Sequence, residues 1–121
     1  MAGSGARKDL GQWGEDKAAE FLLEQGFEIV CRNFRNGRYG EIDIIAVREN
    51  LLIFVEVKTR TGEYYGGSLY SITGRKKSIL RRCALRFLME NRKYYSKEIM
   101  CRFDLLYNEK GEIFWVEDII R

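Results

Sequence analysis

Three charged residues in two neighbouring segments have the types and spacing needed for chemistry on a phosphate ester. Asp43 lies near the start of Glu41–Arg48, whereas Glu56 and Lys58 lie two residues apart near the end of Leu51–Lys58. Both segments are rich in β-branched and other apolar residues, which predicts two strands. Side chains alternate between the two faces of a strand, so Glu56 and Lys58 are expected on one face.

The pairing of these two strands decides whether Asp43 and Glu56 meet. A two-residue turn at 49–50 gives a hairpin in which Asp43 lies directly opposite Glu56, and a four-residue loop preserves that register. A loop of three or five residues does not preserve it. Directly opposed residues have Cβ atoms about 4.5–5.5 Å apart. The favoured register therefore predicts two neighbouring carboxylates beside Lys58.

Two opposed carboxylates destabilise a sheet, and burying them without a partner costs free energy. A divalent cation removes both penalties, and oxygen ligands of this kind suit Mg²⁺ or Mn²⁺. Lys58 can then hold a phosphate or stabilise charge on a transferring phosphoryl group. The alternative is that Asp43 and Glu56 are solvated on an exposed face, as is common in antiparallel sheets. The apolar residues around each acid favour strands covered on both sides.

Glu15 is a third acid that can join this site. It has helical spacing from Ala18, Ala19 and Leu22, which places it toward the buried side of a predicted helix. A carboxylate on such a face is unusual and suggests a ligand or an orienting group. Alternatively, Glu15 faces the rim of the helix or pairs with Lys17 or a distant arginine.

The composition limits the chemistry that these residues can do. The chain has 121 residues and no His, which excludes Ser-His-Asp and Cys-His catalysis, His-ligated zinc and an imidazole base. Three scattered Cys residues without a CxxC pair exclude a zinc ribbon and argue against a disulfide framework. The sequence has no signal-peptide core and no apolar run that could span a bilayer. We therefore expect a cytoplasmic protein with no membrane partner.

The patterning of the chain predicts helix, three strands, helix and two strands. The helices are expected at about 9–25 and 75–91. The predicted strands are Phe27–Phe34, Glu41–Arg48, Leu51–Lys58, Cys101–Tyr107 and Glu112–Glu117. Strands between helices indicate an α/β fold, a sheet flanked by helices. We expect a single domain over residues 9–121, preceded by a flexible tail at 1–8.

The second predicted helix and the residues after it are strongly basic. Residues 75–97 contain nine basic side chains and one acid, Glu90, although the net charge of the chain is only +3. We expect this surface to neutralise the backbone phosphates of DNA, unless it is merely a solvated face. The candidate nucleic-acid-binding residues are Arg60, Arg75, Lys77, Arg82, Arg86 and Lys93. Of these, Arg75, Arg82, Arg86 and Lys93 are predicted to lie opposite the apolar residues Ile79, Cys83 and Phe87, and Lys77 and Arg81 broaden the basic surface.

A predicted loop between Thr61 and Gly74 carries three tyrosines just after Lys58. Tyr64, Tyr65 and Tyr70 can stack on the bases or ribose of a distorted nucleic acid. The alternative is that they anchor the loop to its own domain, which is the commoner use of such residues.

The chemistry-bearing residues carry a resemblance to known proteins. Asp43 followed by Glu56-Val57-Lys58 resembles the D…ExK core of the restriction-endonuclease-like nuclease superfamily. The phrases Gly11-x-x-Gly14-Glu15, Gly40-Glu-Ile-Asp-Ile-Ile-Ala46 and Phe54-Val-Glu-Val-Lys-Thr-Arg60 resemble the YraN-like family of small, largely uncharacterised bacterial proteins. That family is similar to archaeal Holliday-junction resolvases. The resemblance covers about residues 9–107.

This resemblance implies a restriction-endonuclease-like fold, a mixed β-sheet flanked by helices with the acids at its functional edge. It implies Mg²⁺ or Mn²⁺ held by Asp43 and Glu56, with the backbone carbonyl of Val57 as a further ligand. Lys58 would align or activate the attacking water, and Glu15 would complete the site from the first helix. Related resolvases act as dimers, so a homodimer is expected.

Three functions are compatible with these residues. The first is a metal-dependent phosphodiester hydrolase, an endonuclease acting on DNA and especially on branched or junction DNA. The second is a non-catalytic nucleic-acid-binding module that retains the nuclease fold. The third is a protein–protein adaptor whose charges only keep it in solution, which predicts no salt-dependent affinity for DNA.

Overall fold

The structure, a computed structural model, describes the backbone of residues 2–60 and 73–120 and the side chains of residues 11–59 and 73–120. Its helices are α1 (Ala2–Glu24) and α2 (Gly74–Glu90), and a short 3-10 helix covers Arg92–Tyr94. The strands are β1 (Glu28–Arg35), β2 (Glu41–Arg48), β3 (Leu51–Arg60), β4 (Met100–Glu109) and β5 (Glu112–Val116).

The five strands form one mixed sheet in the order β1-β2-β3-β4-β5. Neighbouring strands are antiparallel except β3 and β4, which are parallel. Parallel neighbours need a crossover connection, and the chain between β3 and β4 includes α2. This arrangement confirms the predicted α/β class and the predicted order of helices and strands.

The two helices cover opposite faces of the sheet. Ala18 and Leu22 of α1 pack in one apolar cluster with Ile53 of β3, whereas Phe87 of α2 packs in a second cluster with Phe54. Consecutive residues of β3 thus face different helices, which explains why this strand is apolar on both sides. None of the helices in the described part of the chain has the length and apolar character needed to cross a membrane.

Several element boundaries differ from the predicted ones. Helix α1 begins at Ala2 rather than at about residue 9, so residues 2–8 are helical where a flexible tail was predicted. This segment combines the helix formers Ala, Arg and Lys with two glycines and a serine, and extending an existing helix adds a hydrogen bond for each residue. Strands β3 and β4 run past their predicted ends because their parallel pairing continues to Arg60 and Glu109.

Strand β2 is irregular at Asp43. Ile42 packs in the cluster beneath α2, whereas Ile44, two residues further on, packs in the cluster beneath α1. Regular alternation would place both side chains on one face. On the paired strand β1, Asn33 lies opposite this point and has a φ of +55°, an unusual backbone conformation for a residue other than glycine. Asp43 therefore lies at a local distortion of the sheet.

Asp104 in β4 is fully buried, and four hydrogen bonds satisfy its carboxylate. Arg102 donates from Nε and Nη2, each at 2.8 Å. The indole nitrogen of Trp115 and the backbone N–H of Asp118 donate at 2.9 Å. Because Trp115 and Asp118 come from β5 and the segment after it, Asp104 fastens the C-terminal part of the chain to the sheet.

We expect Asp104→Ala to lower the free energy of unfolding by about 3–5 kcal/mol, because Trp115 and Asp118 lose this acceptor and the partly buried guanidinium of Arg102 keeps only its longer contact with Glu117 at 3.5 Å. Urea denaturation followed by circular dichroism measures this loss. Glu98→Ala, which truncates an exposed acid, should change the free energy by less than about 0.5 kcal/mol. A loss below about 1 kcal/mol for Asp104→Ala would contradict a structural role for this network.

Candidate functional site

The acidic pair lies where β2 and β3 stop pairing. The observed register has the predicted two-residue turn and ends at the pair Ile44–Val55. Asp43 and Glu56 are the next residues on the two strands, as the predicted register requires. Oδ2 of Asp43 accepts a hydrogen bond from the backbone N–H of Val57, with an N···O distance of 2.8 Å. The Asp43 carboxylate therefore accepts the hydrogen bond that a backbone carbonyl of β2 would accept if the ladder continued.

The backbone of Val57 is oriented toward Asp43. The N–H and C=O of one residue in an extended strand point toward the same neighbouring strand. Because the N–H of Val57 binds Asp43 in β2, its carbonyl oxygen also faces the side on which the ladder has ended. This orientation suits the predicted role of that carbonyl as a ligand.

The electrostatic environment raises the pKa of Asp43 from its usual value of 3.8 to about 7. Burial is the largest cause, and the hydrogen bond from Val57 partly opposes it. The negative charges of Glu56, Glu15 and Glu41 raise the pKa further. The proposed acids thus share one electrostatic environment, in which a positive charge is favoured.

Part of that positive charge comes from α2. Glu56 is only 7% exposed, and the ammonium nitrogen of Lys76 lies 2.8 Å from its Oε2. This ion pair raises the pKa of Lys76 above its usual value, chiefly through the hydrogen bond to Glu56. Lys76 is held in the first turn of α2, where Oγ1 of Thr73 accepts a hydrogen bond from its backbone N–H at 3.1 Å.

Glu15 is held by residues of β1. Arg32 donates to its Oε1 from Nη2 at 3.0 Å and from Nε at 3.3 Å, and Nδ2 of Asn33 donates to the same oxygen at 3.0 Å. Arg32 also binds Asp16 at 2.7 Å, a contact that lowers the pKa of Asp16. Glu15 is thus paired with a distant arginine, one of the alternatives considered above, although its charge still raises the pKa of Asp43.

A close approach of α1 to β3 fixes the position of Glu15. A Cβ atom at Gly14 would overlap Oγ1 of Thr59, so this contact requires glycine. Glu15 follows Gly14 in the sequence and Lys58 precedes Thr59. Glu15 and Lys58 therefore lie at the same end of the sheet. Lys58 is exposed, and no other described residue forms an ion pair with it.

The carboxylate oxygens of Asp43 and Glu56 partly meet the requirements of the expected Mg²⁺ or Mn²⁺ site. Among the described residues, no three His, Cys, Asp or Glu side chains form a group that could hold a metal ion. Mg²⁺ is commonly held by only one or two carboxylates, with water and substrate phosphates as its other ligands. Asp43 and Glu56 meet that requirement in chemical type, and the burial and neighbouring negative charges that raise the pKa of Asp43 favour a cation. The ion pair of Glu56 with Lys76 is the competing interaction.

The predicted nucleic-acid-binding residues have different environments. Arg75 and Arg82 line a cleft together with Ile79, so the prediction that they lie opposite Ile79 is wrong. Residues 75, 79 and 82 follow helical spacing and share one face. Arg86 donates from Nε to Glu90 at 2.9 Å and from Nη1 to Asn36 at 3.0 Å, so its guanidinium is already engaged.

The remaining basic candidates are more dispersed. Lys77 is partly buried on α2, whereas Lys93 is exposed on the 3-10 helix, with Nζ 5.2 Å from the ring centre of Tyr94. The side chain of Arg60 and the predicted tyrosine loop at 61–72 lie outside the described residues.

Sequence reasoning missed two residues that contact the predicted acids. Lys76 precedes Leu80 and Cys83 by four and seven residues, so its helical spacing already assigns it to the inward face of α2. Arg32, in contrast, contacts Glu15 through the pairing of distant elements, and the sequence holds no local signal for that contact.

Comparisons with known proteins agree with the class that the fold and site define, a mixed α/β protein with paired acids at one end of its sheet. The family model described as "Uncharacterised protein family UPF0102" matches residues 14–107. A UPF0102 protein of Pelotomaculum thermopropionicum is 46% identical over 111 residues, which is 89% of each chain. A UPF0102 protein of Caldicellulosiruptor saccharolyticus is 42% identical over 110 residues, covering 88% of this chain and 90% of the relative.

The chain belongs to the UPF0102 family, which confirms the resemblance to YraN-like proteins. The matched region, residues 14–107, contains all four candidate catalytic residues. A UPF0102 protein of Rhodococcus opacus, 44% identical over 97 residues, covers 80% of this chain and 79% of the relative.

The raised pKa of Asp43 predicts a specific dependence of stability on pH. The folded protein binds the Asp43 proton more tightly than the unfolded chain, so ionisation of this group lowers stability as pH rises from about 4 to about 7. Asp43→Asn removes that effect and retains an oxygen acceptor for Val57. The melting temperature of the variant should therefore exceed that of wild type above pH 7, and the difference should vanish near pH 4.

Thermal denaturation between pH 4 and pH 8 in a chelating buffer measures this difference. Asp16→Asn is a control of opposite sign, because the pKa of Asp16 is lowered and its ionised form stabilises the fold. A difference between Asp43→Asn and wild type that does not change with pH would contradict the shifted pKa.

Proposed function

We propose that this protein is a metal-dependent phosphodiester hydrolase, an endonuclease that acts on DNA and especially on branched or junction DNA. The observation that carries the proposal is the pair Asp43 and Glu56, placed together where the β2–β3 ladder ends. The raised pKa of Asp43 reflects burial beside other negative charges, an environment that a divalent cation would relieve. The exposed Lys58 lies two residues beyond Glu56 on the same strand.

Each residue of the site would have its own role in hydrolysis. Asp43 and Glu56 would bind Mg²⁺ or Mn²⁺, with the carbonyl of Val57 as a further oxygen ligand. The bound cation would activate water and stabilise charge on the scissile phosphate. The ammonium group of Lys58 would orient the attacking water or bind a phosphate oxygen. Glu15, held by Arg32, would add negative charge from α1 to the same site.

A second candidate is a non-catalytic nucleic-acid-binding module that retains the nuclease fold. The ion pair between Lys76 and Glu56 favours it, because an internal ammonium group already compensates one of the two proposed ligands. A module of this kind would bind nucleic acid through its basic residues without cleaving it. The two candidates therefore differ in cleavage and in metal uptake.

A cleavage assay on duplex, single-stranded and four-way-junction DNA tests the first candidate. Wild type should cleave at least one of these substrates in Mg²⁺ or Mn²⁺ and none in a chelator. Asp43→Asn, Glu56→Gln and Lys58→Met should each lower the rate by at least about a hundredfold. Their affinity for DNA, measured in chelator, should stay close to that of wild type, and Glu98→Gln is a matched control at an exposed acid.

Two outcomes separate the candidates. Binding of junction DNA without cleavage in either metal would reject the hydrolase and leave the binding module. A wild-type protein that neither binds nucleic acid nor takes up metal would reject both and leave the adaptor.

Replacing Lys76 tests the competition between ammonium and metal at Glu56. Lys76→Gln frees the Glu56 carboxylate, so Mn²⁺ affinity measured by calorimetry should rise about tenfold, the equivalent of one pKa unit of interaction between charges. The same variant should melt at a lower temperature in chelator, because Glu56 loses its partner. Lys77→Gln is the neighbouring control, and an unchanged Mn²⁺ affinity in Lys76→Gln would mean that Lys76 does not compete with metal.

Two further expectations remain part of the proposal. A homodimer is expected from the resemblance to resolvases, and sedimentation at several concentrations measures it directly. A cytoplasmic location is expected from the sequence, and fractionation of cells expressing the native chain tests it.

A further inference from the structure

A basic cleft lies between the β1–β2 turn and the N-terminal half of α2. It has a volume of about 430 Å³ and is lined by Arg38, Tyr39, Arg75, Ser78, Ile79 and Arg82. Among the residues that the structure describes, six line the cleft, of which three are arginines and none is acidic. Its volume lies within the range of small-molecule and nucleotide sites.

The turn that carries Arg38 and Tyr39 is fixed in place. The backbone N–H of Asn36 donates to the carbonyl of Gly40 at 2.9 Å, and that of Tyr39 donates to the carbonyl of Asn36 at 2.9 Å. Arg86 of α2 donates to the side chain of Asn36 at 3.0 Å, which ties the turn to the helix. The two walls of the cleft are thereby held together.

Gly40 allows the two walls to approach. Its φ is +145°, and a Cβ atom there would overlap Cγ2 of Ile79. The position therefore requires glycine both for its backbone conformation and for the space available. This contact brings the turn onto α2 at the residue that lies between Arg75 and Arg82 on the helical face.

The arginines of the cleft differ from the other arginines around them. Among the described residues, none forms an ion pair with Arg38, Arg75 or Arg82, and all three side chains are exposed. Arg86, by contrast, is paired with Glu90 and bound to Asn36. Concentrated guanidinium groups without acidic partners attract phosphate, which they bind with two parallel hydrogen bonds.

Tyr39 adds an aromatic surface to this positive charge. It is 67% exposed, so its ring is available to a ligand. A base that stacks on such a ring must be unstacked from its neighbours, which is the state of bases in single strands and not in duplexes. An exposed aromatic ring beside unpaired arginines is the combination that single-strand-binding surfaces use.

We propose that this cleft binds a single-stranded segment of nucleic acid, with the arginines on its phosphates and a base on Tyr39. The proposal rests on the proposed function, and it specifies that the strand next to the acidic site is unpaired. Arg75 directly precedes Lys76, whose ammonium group lies 2.8 Å from Glu56, so the first turn of α2 contributes to both the cleft and that site. Tyr39 is likewise close in sequence to Glu41, whose charge affects Asp43.

Fluorescence anisotropy with a labelled 15-nucleotide single strand tests the proposal, in chelator so that no cleavage interferes. The triple variant Arg38→Ala/Arg75→Ala/Arg82→Ala should bind about a hundredfold more weakly, and its salt slope should be smaller by about two. Tyr39→Ala should weaken binding about tenfold, whereas Tyr39→Phe should bind as wild type does. Arg92→Ala, at an exposed arginine outside the cleft, should bind within about twofold of wild type.

The matched duplex and a mononucleotide distinguish the proposed ligand from related ones. Tyr39→Ala should leave duplex affinity unchanged, and deoxyadenosine monophosphate should compete only at concentrations far above the dissociation constant of the strand. Equal effects on duplex and single strand would overturn the assignment to an unpaired strand. Mononucleotide affinity equal to that of the strand would overturn it as well.

The remaining outcomes show whether the cleft proposal or the hydrolase proposal has failed. A triple variant that keeps the affinity and salt slope of wild type would overturn the cleft, as would a wild-type protein with no affinity for the strand. Cleft-dependent binding without any metal-dependent cleavage would support the cleft and reject only the hydrolase. Circular dichroism of each variant checks folding, which substitution of exposed side chains should preserve.

Discussion

The burial of Asp43 beside the buried carboxylate of Glu56 is the electrostatic constraint to which the rest of this site responds. Both acids lie in strands whose other residues are needed for the core, so neither can move to the surface without losing apolar contacts. The protein limits the penalty in three ways. The Val57 N–H binds one carboxylate, Lys76 pairs with the other, and the raised pKa of Asp43 allows that group to hold a proton near neutral pH.

Helix α2 contributes to this arrangement through two different faces. Its inward row holds the apolar core and ends at Lys76, whereas its lateral row carries Arg75, Ile79 and Arg82 toward the β1–β2 turn. The parallel pairing of β3 with β4 requires a crossover connection, and α2 lies in it. The helix that this crossover requires therefore supplies both Lys76, which pairs with Glu56, and two arginines of the cleft, Arg75 and Arg82.

The sequence predicted what depends on local pattern. The hairpin at 49–50 has a two-residue turn, and periodicity then sets the register that brings Asp43 next to Glu56. The face of Arg75 and Arg82 was wrongly assigned, although helical spacing alone places them beside Ile79. Contacts between distant elements could not be predicted from the sequence. Arg32 reaches Glu15 across 17 positions, and Arg86 reaches Asn36 across 50. Such contacts depend on the packing of α1 and α2 against the sheet, for which no local signal exists.

In the proposed function, the two charged surfaces of this protein would make opposite demands on a polynucleotide. The acidic site repels phosphate unless a cation neutralises it, whereas the arginine cleft beside it attracts phosphate without any metal. The proposed binding and chemistry would therefore be separable, because a strand would be held in the cleft before the acids carry a metal. Lys76 connects the two surfaces, because it follows Arg75 in the sequence and its ammonium group pairs with Glu56. If a metal displaced Lys76 from Glu56, the ammonium group would be free to bind phosphate, so metal uptake at the acids would strengthen phosphate binding next to the cleft.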